Sequence, residues 1–294
     1  MDASVSRALG VLRTGKHRVA RLWWRHELSV KGGLLAAYHV VRPFTYEASR
    51  YRGTFLAREP AISGKPAQAA VPLRIWCAWT GANDLTDNRK RGLESIREHN
   101  PDADVVLVTP ENLERYLMPE VPLHPIYPYL SLVHRSDYLR GYLIHHHGGA
   151  WADLKVQRGS LSQAIEALND EASLWVVGAS IPGLPRAIPG ESLVERDCRR
   201  NYRLLVHGAA FAARARTPLT TAWQAEVHSR ADHYFEEARR HPGGVWGLRP
   251  GLADSQYPIP WNALQAFIFE PLSLKYHQHV KPDRRYLPFL EGHR

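Results

Sequence analysis

From Ser131 to Val156 the chain reads SLVHRSDYLRGYLIHHHGGAWADLKV, and this stretch constrains the fold more than any other. Leu132, Leu139, Leu143 and His146 recur at helical spacing, which predicts a helix from about Ser131 to His147 that buries that face. Asp137, Arg140, Gly141 and Ile144 fall on another face. Three apart on a helix, Asp137 and Arg140 can pair or jointly grip a polar ligand, while Gly141 lets something approach the backbone closely. Gly148 and Gly149 stop the helix. Ala150 to Val156 then alternates with period two, so Trp151, Asp153 and Lys155 are expected on one side of a strand. A carboxylate and an ammonium thus emerge directly after a helix carrying a second acid and a guanidinium.

The flanking segments predict an α/β protein with a mixed, mainly parallel sheet flanked by helices. Val71 to Trp79 is a short apolar run rich in strand formers and closed by Thr80-Gly81. Arg89 to Asn100 reads as a helix with Asp87 as its N-cap, Val105 to Val108 as a buried strand, and Pro110 to Tyr116 as the start of another helix. Strand, helix, strand in this order makes a right-handed parallel unit. In open α/β sheets ligands bind at the carboxyl ends of strands, so the loop at Trp79-Thr80-Gly81 is where a nucleotide would sit. Pro119 to Pro128 should run irregularly into the central helix. Further on, Leu161 to Leu168 predicts a helix and Ser173 to Val177 a strand. Residues 179–200 read as a loop over the active face, and Tyr202 to Ala213 as a strand kinked at Gly208. Thr217 and Pro218 then suit the start of a helix running from Leu219 to about Arg240.

S-D-x-x-R on a short helix, then G-G, then an aromatic residue and an Asp in a strand resembles the DXD-type sugar transferases. That group includes capsular polysaccharide synthesis proteins and yeast-type mannosyltransferases. The resemblance spans roughly Leu73 to His279 and takes in Tyr257 to His279, where Trp261 is expected to open a helix. It implies a GT-A fold (Rossmann-like), a nucleotide-sugar donor, a glycan or lipid-linked acceptor, and transfer of a hexose with retention of configuration. By the same resemblance Trp79, Thr80 and Gly81 hold the nucleotide. Trp79 would stack on the base, with Trp76 as its competitor and a buried core position as the alternative for either. Asp137 and Arg140 would bind the ribose or sugar hydroxyls, or else form a helix-surface ion pair. Asp153 would bind a divalent cation, Mn²⁺ or Mg²⁺.

One departure bears on that cation: the second Asp of the D-x-D is Lys155 here. Two readings follow. Asp153 holds the metal with another acid or waters, the preferred reading because one carboxylate, the diphosphate and waters can complete its coordination. Alternatively, Lys155 itself partly replaces the cation at the phosphates. The same substitution admits a catalytically inactive relative that acts as a glycan- or membrane-binding partner in polysaccharide assembly.

Charge divides the chain. Residues 1–60 hold eleven Lys or Arg against four Asp or Glu, and so carry most of the net +9. They are expected to form a basic amphipathic extension, with the transferase body at 71–294. Residues 11–41, which carry Trp23 and Trp24 among arginines, would touch an anionic membrane or pack against the body. A nucleic-acid arm is a weaker alternative, since no nucleic-acid module accompanies these charges, and no nucleic-acid partner is expected. No apolar run approaches the ~20 residues that cross a bilayer and no signal peptide is evident. The expectation is a cytoplasmic protein, peripheral on the inner face of the membrane at most. Cys77 and Cys198 are expected to be free thiols.

His145, His146 and His147 cannot jointly ligate one ion, because consecutive helical residues point ~100° apart. They are expected to end the helix as cations favoured by its dipole. His207 and Asp254 are candidates for the acceptor side, and Arg196, Arg199, Arg200 and Arg203 for a solvated face or an anionic-acceptor guide. No Gly-rich P-loop and no G-x-S-x-G elbow occurs, which disfavours P-loop phosphoryl transfer and α/β-hydrolase chemistry.

Overall fold

The structure is a computed structural model and describes residues 42–60, 67–183, 188, 190–247 and 256–290. The expected membrane-facing residues 11–41 and Asp254 lie outside the described residues. Among the described residues six strands form one sheet: β1 (Arg74–Ala78), β2 (Asp104–Val108), β3 (Gly149–Ala152), β4 (Val176–Ser180), β5 (Val206–Ala213) and β6 (Val280–Asp283). Their order is β2-β1-β3-β5-β4-β6. Strands β1, β2 and β3 run parallel, as do β4 and β6, and β5 alone is antiparallel to both its neighbours. Among the described residues the α-helices are α1 (Asp87–His99), α2 (Leu132–His147), α3 (Leu161–Asp170), α4 (Leu193–Arg200), α5 (Pro218–Arg240) and α6 (Ala266–Lys275). The sheet is therefore mixed and mostly parallel with flanking helices, as the sequence pattern predicts.

Side-chain alternation along each strand separates two cores. Trp76 of β1, Trp151 of β3 and Phe211 of β5 are in register across the sheet and face one way, into a core shared with α2, α5 and α6. Ile75, Cys77, Ala150, Ala152, Ala210 and Ala212 face the other way, onto α1 and α3. Small residues on β3 and β5 let α1 and α3 approach that face. Leu93 and Ile96 of α1 are buried there, at roughly 1.5–3 kcal/mol each. On the opposite face Phe211, Trp223 and Phe269 stack with centroids 4.6–6.1 Å apart, tying α5 and α6 to the sheet.

Several expectations need correction. Thr86, not Asp87, precedes α1, and Asp87 sits in its first turn, where an acid suits the dipole. Leu113–Tyr116 makes only a short 3-10 turn rather than a longer helix, since Asn112 bonds back to Thr109 and Leu107. Residues 179–200 are not one continuous loop, since β4 runs to Ser180. Their second half is α4, opened by a capping box between Ser192 and Glu195, and it packs beside α6 with Cys198 in a third small core. Trp261 lies in the turn before α6 and does not open it. Residues 48–57, the last part of the basic extension, dock on this side of the body. The Arg50 guanidinium makes two 2.9 Å bonds to Asp197, and Lys275 Nζ donates to the carbonyls of Leu56 and Arg58 at 2.9 Å.

Among the described residues no helix is long and apolar enough to cross a membrane. Both cysteines are free and buried, as expected.

Candidate active site

Helix α2 arises where predicted, from Ser131 to His147. Ser131 Oγ accepts the His134 amide, and Gly148 and Gly149 end the helix at φ +69° and +96°. The helix is buried on nearly all sides in its middle, so its apolar positions do not form one stripe. Gly141 serves packing: a Cβ there would sit 3.5 Å from the Trp223 ring of α5, so the close approach is by a helix and not by a ligand.

The turn from α2 into β3 delivers Asp137, Arg140, Trp151 and Asp153 to the carboxyl rim of the sheet. There they meet Trp79, Thr80 and Gly81, which follow β1. All of these residues and Lys155 line one cavity of about 450 Å³. Thr80 Oγ1 donates to the Leu132 carbonyl at 2.6 Å, locking the β1 loop to the start of α2. Trp79 is half-buried on the cavity wall, its indole nitrogen donating to the Asn83 carbonyl at 2.6 Å. Trp76 is fully buried, with its nitrogen bonded to the Gly148 carbonyl at 2.9 Å. Trp76 is therefore a core residue, and of the two it is Trp79 that lines the cavity.

The charges interlock. Arg140 lies 3.0 Å from Asp137 Oδ1 and donates to Asp153 Oδ1 at 2.9 Å, with its guanidinium 4.8 Å over the Trp151 ring. Arg140 Nε is buried with no hydrogen-bond partner. Asp153 Oδ1 also accepts from Trp151 Nε1 at 3.0 Å, and Asp153 Oδ2 takes Lys155 Nζ at 2.6 Å. Burial pushes the Asp153 carboxyl up, but the charges of Lys155 and Arg140 overcome it and hold it well below the usual carboxylate range. Asp137 goes the other way: burial, aided by the Asp153 charge, raises it to about 6 against the pull of Arg140. The two acids of the cavity are thus pushed in opposite directions, Asp153 down and Asp137 up.

Lys155 is not on a strand. Strand β3 ends at Ala152, and the Lys155 amide folds back to the Asp153 carbonyl at 2.6 Å, so the ammonium reaches the carboxylate through a tight turn. Helix α1 supports that turn. Arg89, which also lines the cavity, donates to the Leu154 carbonyl at 2.9 Å, and Ser95 Oγ accepts the Gln157 amide at 3.0 Å. Gly92 presses against the same turn, where a Cβ would meet Leu154 and Lys155 backbone atoms at 2.6–2.8 Å. Backbone cannot yield as a flexible side chain can. We therefore expect Gly92→Ala to cost about 1–3 kcal/mol and to displace Lys155, read as a lower urea midpoint together with weaker ligand binding. An unchanged midpoint would mean the helix slides freely over the turn.

A third wall was not foreseen. The first amides of α2 lack helical partners, and two of them are satisfied from a distant segment: Leu132 N donates to Gly244 O at 2.9 Å and Val133 N to Val245 O at 3.3 Å. This seats Val245 and Trp246 over the cavity beside Trp261, with the two indoles 5.5 Å apart. His134 fastens the same wall, its Nδ1 bonded to the Tyr257 hydroxyl at 2.8 Å and its Nε2 to the carbonyls of Pro260 and Trp261. Arg89, Val245 and Trp246 are among the lining residues that sequence reasoning missed; the adjacent valine and tryptophan in VWG were the available signal.

Other candidates lie elsewhere. His207 uses its Nδ1 to accept the Ala209 amide and does not line the cavity. Arg199 bonds the Gly190 carbonyl, and Arg203 donates to the Tyr202 hydroxyl, both away from the site. The histidine tract does end α2, but not as cations. Burial, reinforced by neighbouring positive groups, lowers His145 to about 4 and His146 to about 3, so both are neutral in the fold.

The divalent cation implied by the resemblance finds a poor donor set. Both oxygens of Asp153 are already committed to Arg140, Trp151 and Lys155. Among the described residues no group of three His, Cys, Asp or Glu side chains could hold a metal ion.

Residues 50–167 match the family model of the capsular polysaccharide synthesis proteins. That span covers β1 through most of α3 and contains Trp79, Arg89, Asp137, Arg140, Asp153 and Lys155. It stops well short of Tyr257–His279, so the resemblance noted there lies outside the match. No curated protein and no solved structure matches the chain.

Proposed function

We propose that this protein is a glycosyltransferase of polysaccharide synthesis, moving a hexose from a nucleotide-sugar donor to a surface or capsular glycan, or to a lipid-linked precursor of one. The observation that carries the reading is the convergence of Asp137, Arg140, Asp153 and Lys155 on one cavity at the carboxyl rim of the sheet. The match of residues 50–167 to capsular polysaccharide synthesis proteins supports it, because the whole charged cluster falls inside that span.

In this reading the base stacks on Trp79 and the diphosphate lies against Lys155 and Arg140. Asp137 meets the ribose or sugar hydroxyls. The bond between the anomeric carbon and the diphosphate oxygen breaks as the acceptor oxygen forms its bond on the same face, which retains configuration. The acceptor proton passes to the departing diphosphate. The cations that stabilise the growing negative charge would act in a cavity walled by tryptophans, where such interactions are stronger than in water. Trp246 and Trp261, at the mouth, offer a platform for an acceptor sugar ring.

Donor hydrolysis and transfer, followed with the purified chain across a panel of nucleotide sugars, tests the proposal. Release of diphosphate from at least one donor is expected, and silence on every donor with folded protein would sink it. Trp246→Ala should raise the acceptor KM about tenfold with little change in the donor KM, since one stacked ring is worth ~1–1.5 kcal/mol. The tight ion pair of Lys155 on Asp153 favours a second reading, a non-catalytic glycan-binding relative. Nucleotide-sugar binding without turnover, in the wild type and in Lys155→Asp alike, would select it.

A further inference from the structure

We infer that the site grips the diphosphate with its own cations and needs no divalent metal to do so. The inference rests on the donor reading above and fixes how the phosphates are held. Asp153 is the carboxylate that the resemblance assigns to a metal, and both its oxygens are engaged: Arg140 and Trp151 bond one and Lys155 the other at 2.6 Å. A metal ion binds a carboxylate oxygen at about 2.1 Å, so an ion on Oδ2 would stand within about 5 Å of the ammonium nitrogen bonded to that same oxygen. The two positive charges compete for one site, and the covalently tethered one is already in it.

The remaining geometry suits an anion. Three cationic side chains, Arg89, Arg140 and Lys155, line the cavity against two acids, Asp137 and Asp153. The Arg140 side chain is 7% exposed, and its Nε is buried without a partner. An ammonium carries three donors and Asp153 occupies one of them, which leaves two for phosphate oxygens. Asp153 therefore acts as a positioning residue: it fixes the ammonium and the guanidinium at a separation that a diphosphate can bridge. The backbone turn at Leu154, braced by Arg89, sets the height of Lys155 above the sheet rim.

Isothermal titration of the full chain with uridine, guanosine, adenosine and cytidine diphosphates, once in excess EDTA and once in Mn²⁺, tests the inference. At least one nucleotide should bind in EDTA, with an affinity within about threefold of that in Mn²⁺. Binding seen only with Mn²⁺ would overturn the metal-free grip and leave the transferase reading standing; no binding in either buffer would overturn both. Lys155→Gln should weaken binding in EDTA by roughly 10- to 100-fold, as expected for loss of a charge-assisted bond, and Lys155→Arg should recover most of it. Unchanged affinity in a folded Lys155→Gln protein would refute the role of the ammonium. The EDTA and Mn²⁺ comparison on the wild type decides the matter even if that variant does not fold.

Discussion

Asp153→Asn is expected to abolish most of the activity and to loosen the protein at the same time. The carboxylate neutralises Arg140 and Lys155, whose side chains are only 7% and 13% exposed. An asparagine keeps the shape but removes the charge, leaving the Lys155 ammonium facing a neutral amide and Arg140 with Asp137 as its remaining carboxylate. Breaking a buried pair from one side costs about 3–5 kcal/mol, and the 22% exposure of Asp153 places this case near the lower figure. For a chain of this size that is a fall in Tm on the order of 6–12 °C. Turnover should drop about 100- to 1,000-fold, the usual consequence of misplacing groups that meet developing charge. Assays run well below the lowered Tm separate the two effects. Full-rate transfer by the variant would remove Asp153 from the chemistry. The pH behaviour follows from the direction of the shift. Because the folded carboxyl is depressed, its contribution is complete above the ordinary value of 3.8 and is lost only as pH falls through its lower folded value.

Glu270→Gln is expected to stabilise the protein by about 3 kcal/mol at pH 7. Glu270 lies in α6, 4% exposed, with Oε2 lacking any partner. Burial pushes its carboxyl up to about 8, only partly offset by a backbone bond from Ile188. The folded state thus holds a proton that the unfolded chain releases near 4.5, so stability falls as pH rises from about 4.5 to about 8. At pH 7 the gap is about 2.5 pH units, each worth about 1.4 kcal/mol. Glutamine keeps the acceptor and has no proton to lose. Urea unfolding at pH 4.5 and at pH 7 checks it: the variant should match the wild type at the lower pH and exceed it at the higher. An equal difference at both would mean that the acid is not neutral in the fold.

The sequence pointed to the centre of the candidate cavity better than to its edges. Asp137, Arg140 and Asp153 share one local pattern, a helix stopped by two glycines and followed by a strand, and local patterns survive without tertiary knowledge. Period two misplaced Lys155 on that strand, because alternation continues past Ala152 while the backbone turns to reach Asp153. In the sequence Arg89 only opens a predicted helix; the packing of α1 against the turn brings it to the cavity. The wall at Val245 and Trp246 was beyond any periodicity argument, since it is held by amides more than a hundred residues away at the start of α2. The histidines at the end of α2 misled for the opposite reason: a dipole argument assumes solvent, and α5 covers that end, with Thr220 meeting His145. Glu270 stands alone among apolar neighbours in AFIFEPL, a visible anomaly whose protonation depends on how completely the core closes over it.

The division of labour around the cavity has a consequence for how such a protein can diversify. The half proposed to grip the anion, apart from the brace from α1, is written into one continuous stretch of α2, β3 and the following turn. The half that would meet the second sugar hangs from helix-end amides through main-chain bonds. Main-chain bonds are indifferent to side-chain identity. Residues such as Trp246 can therefore be exchanged for others without disturbing the charged cluster, and the chemistry of that wall is free to drift while the cluster stays put.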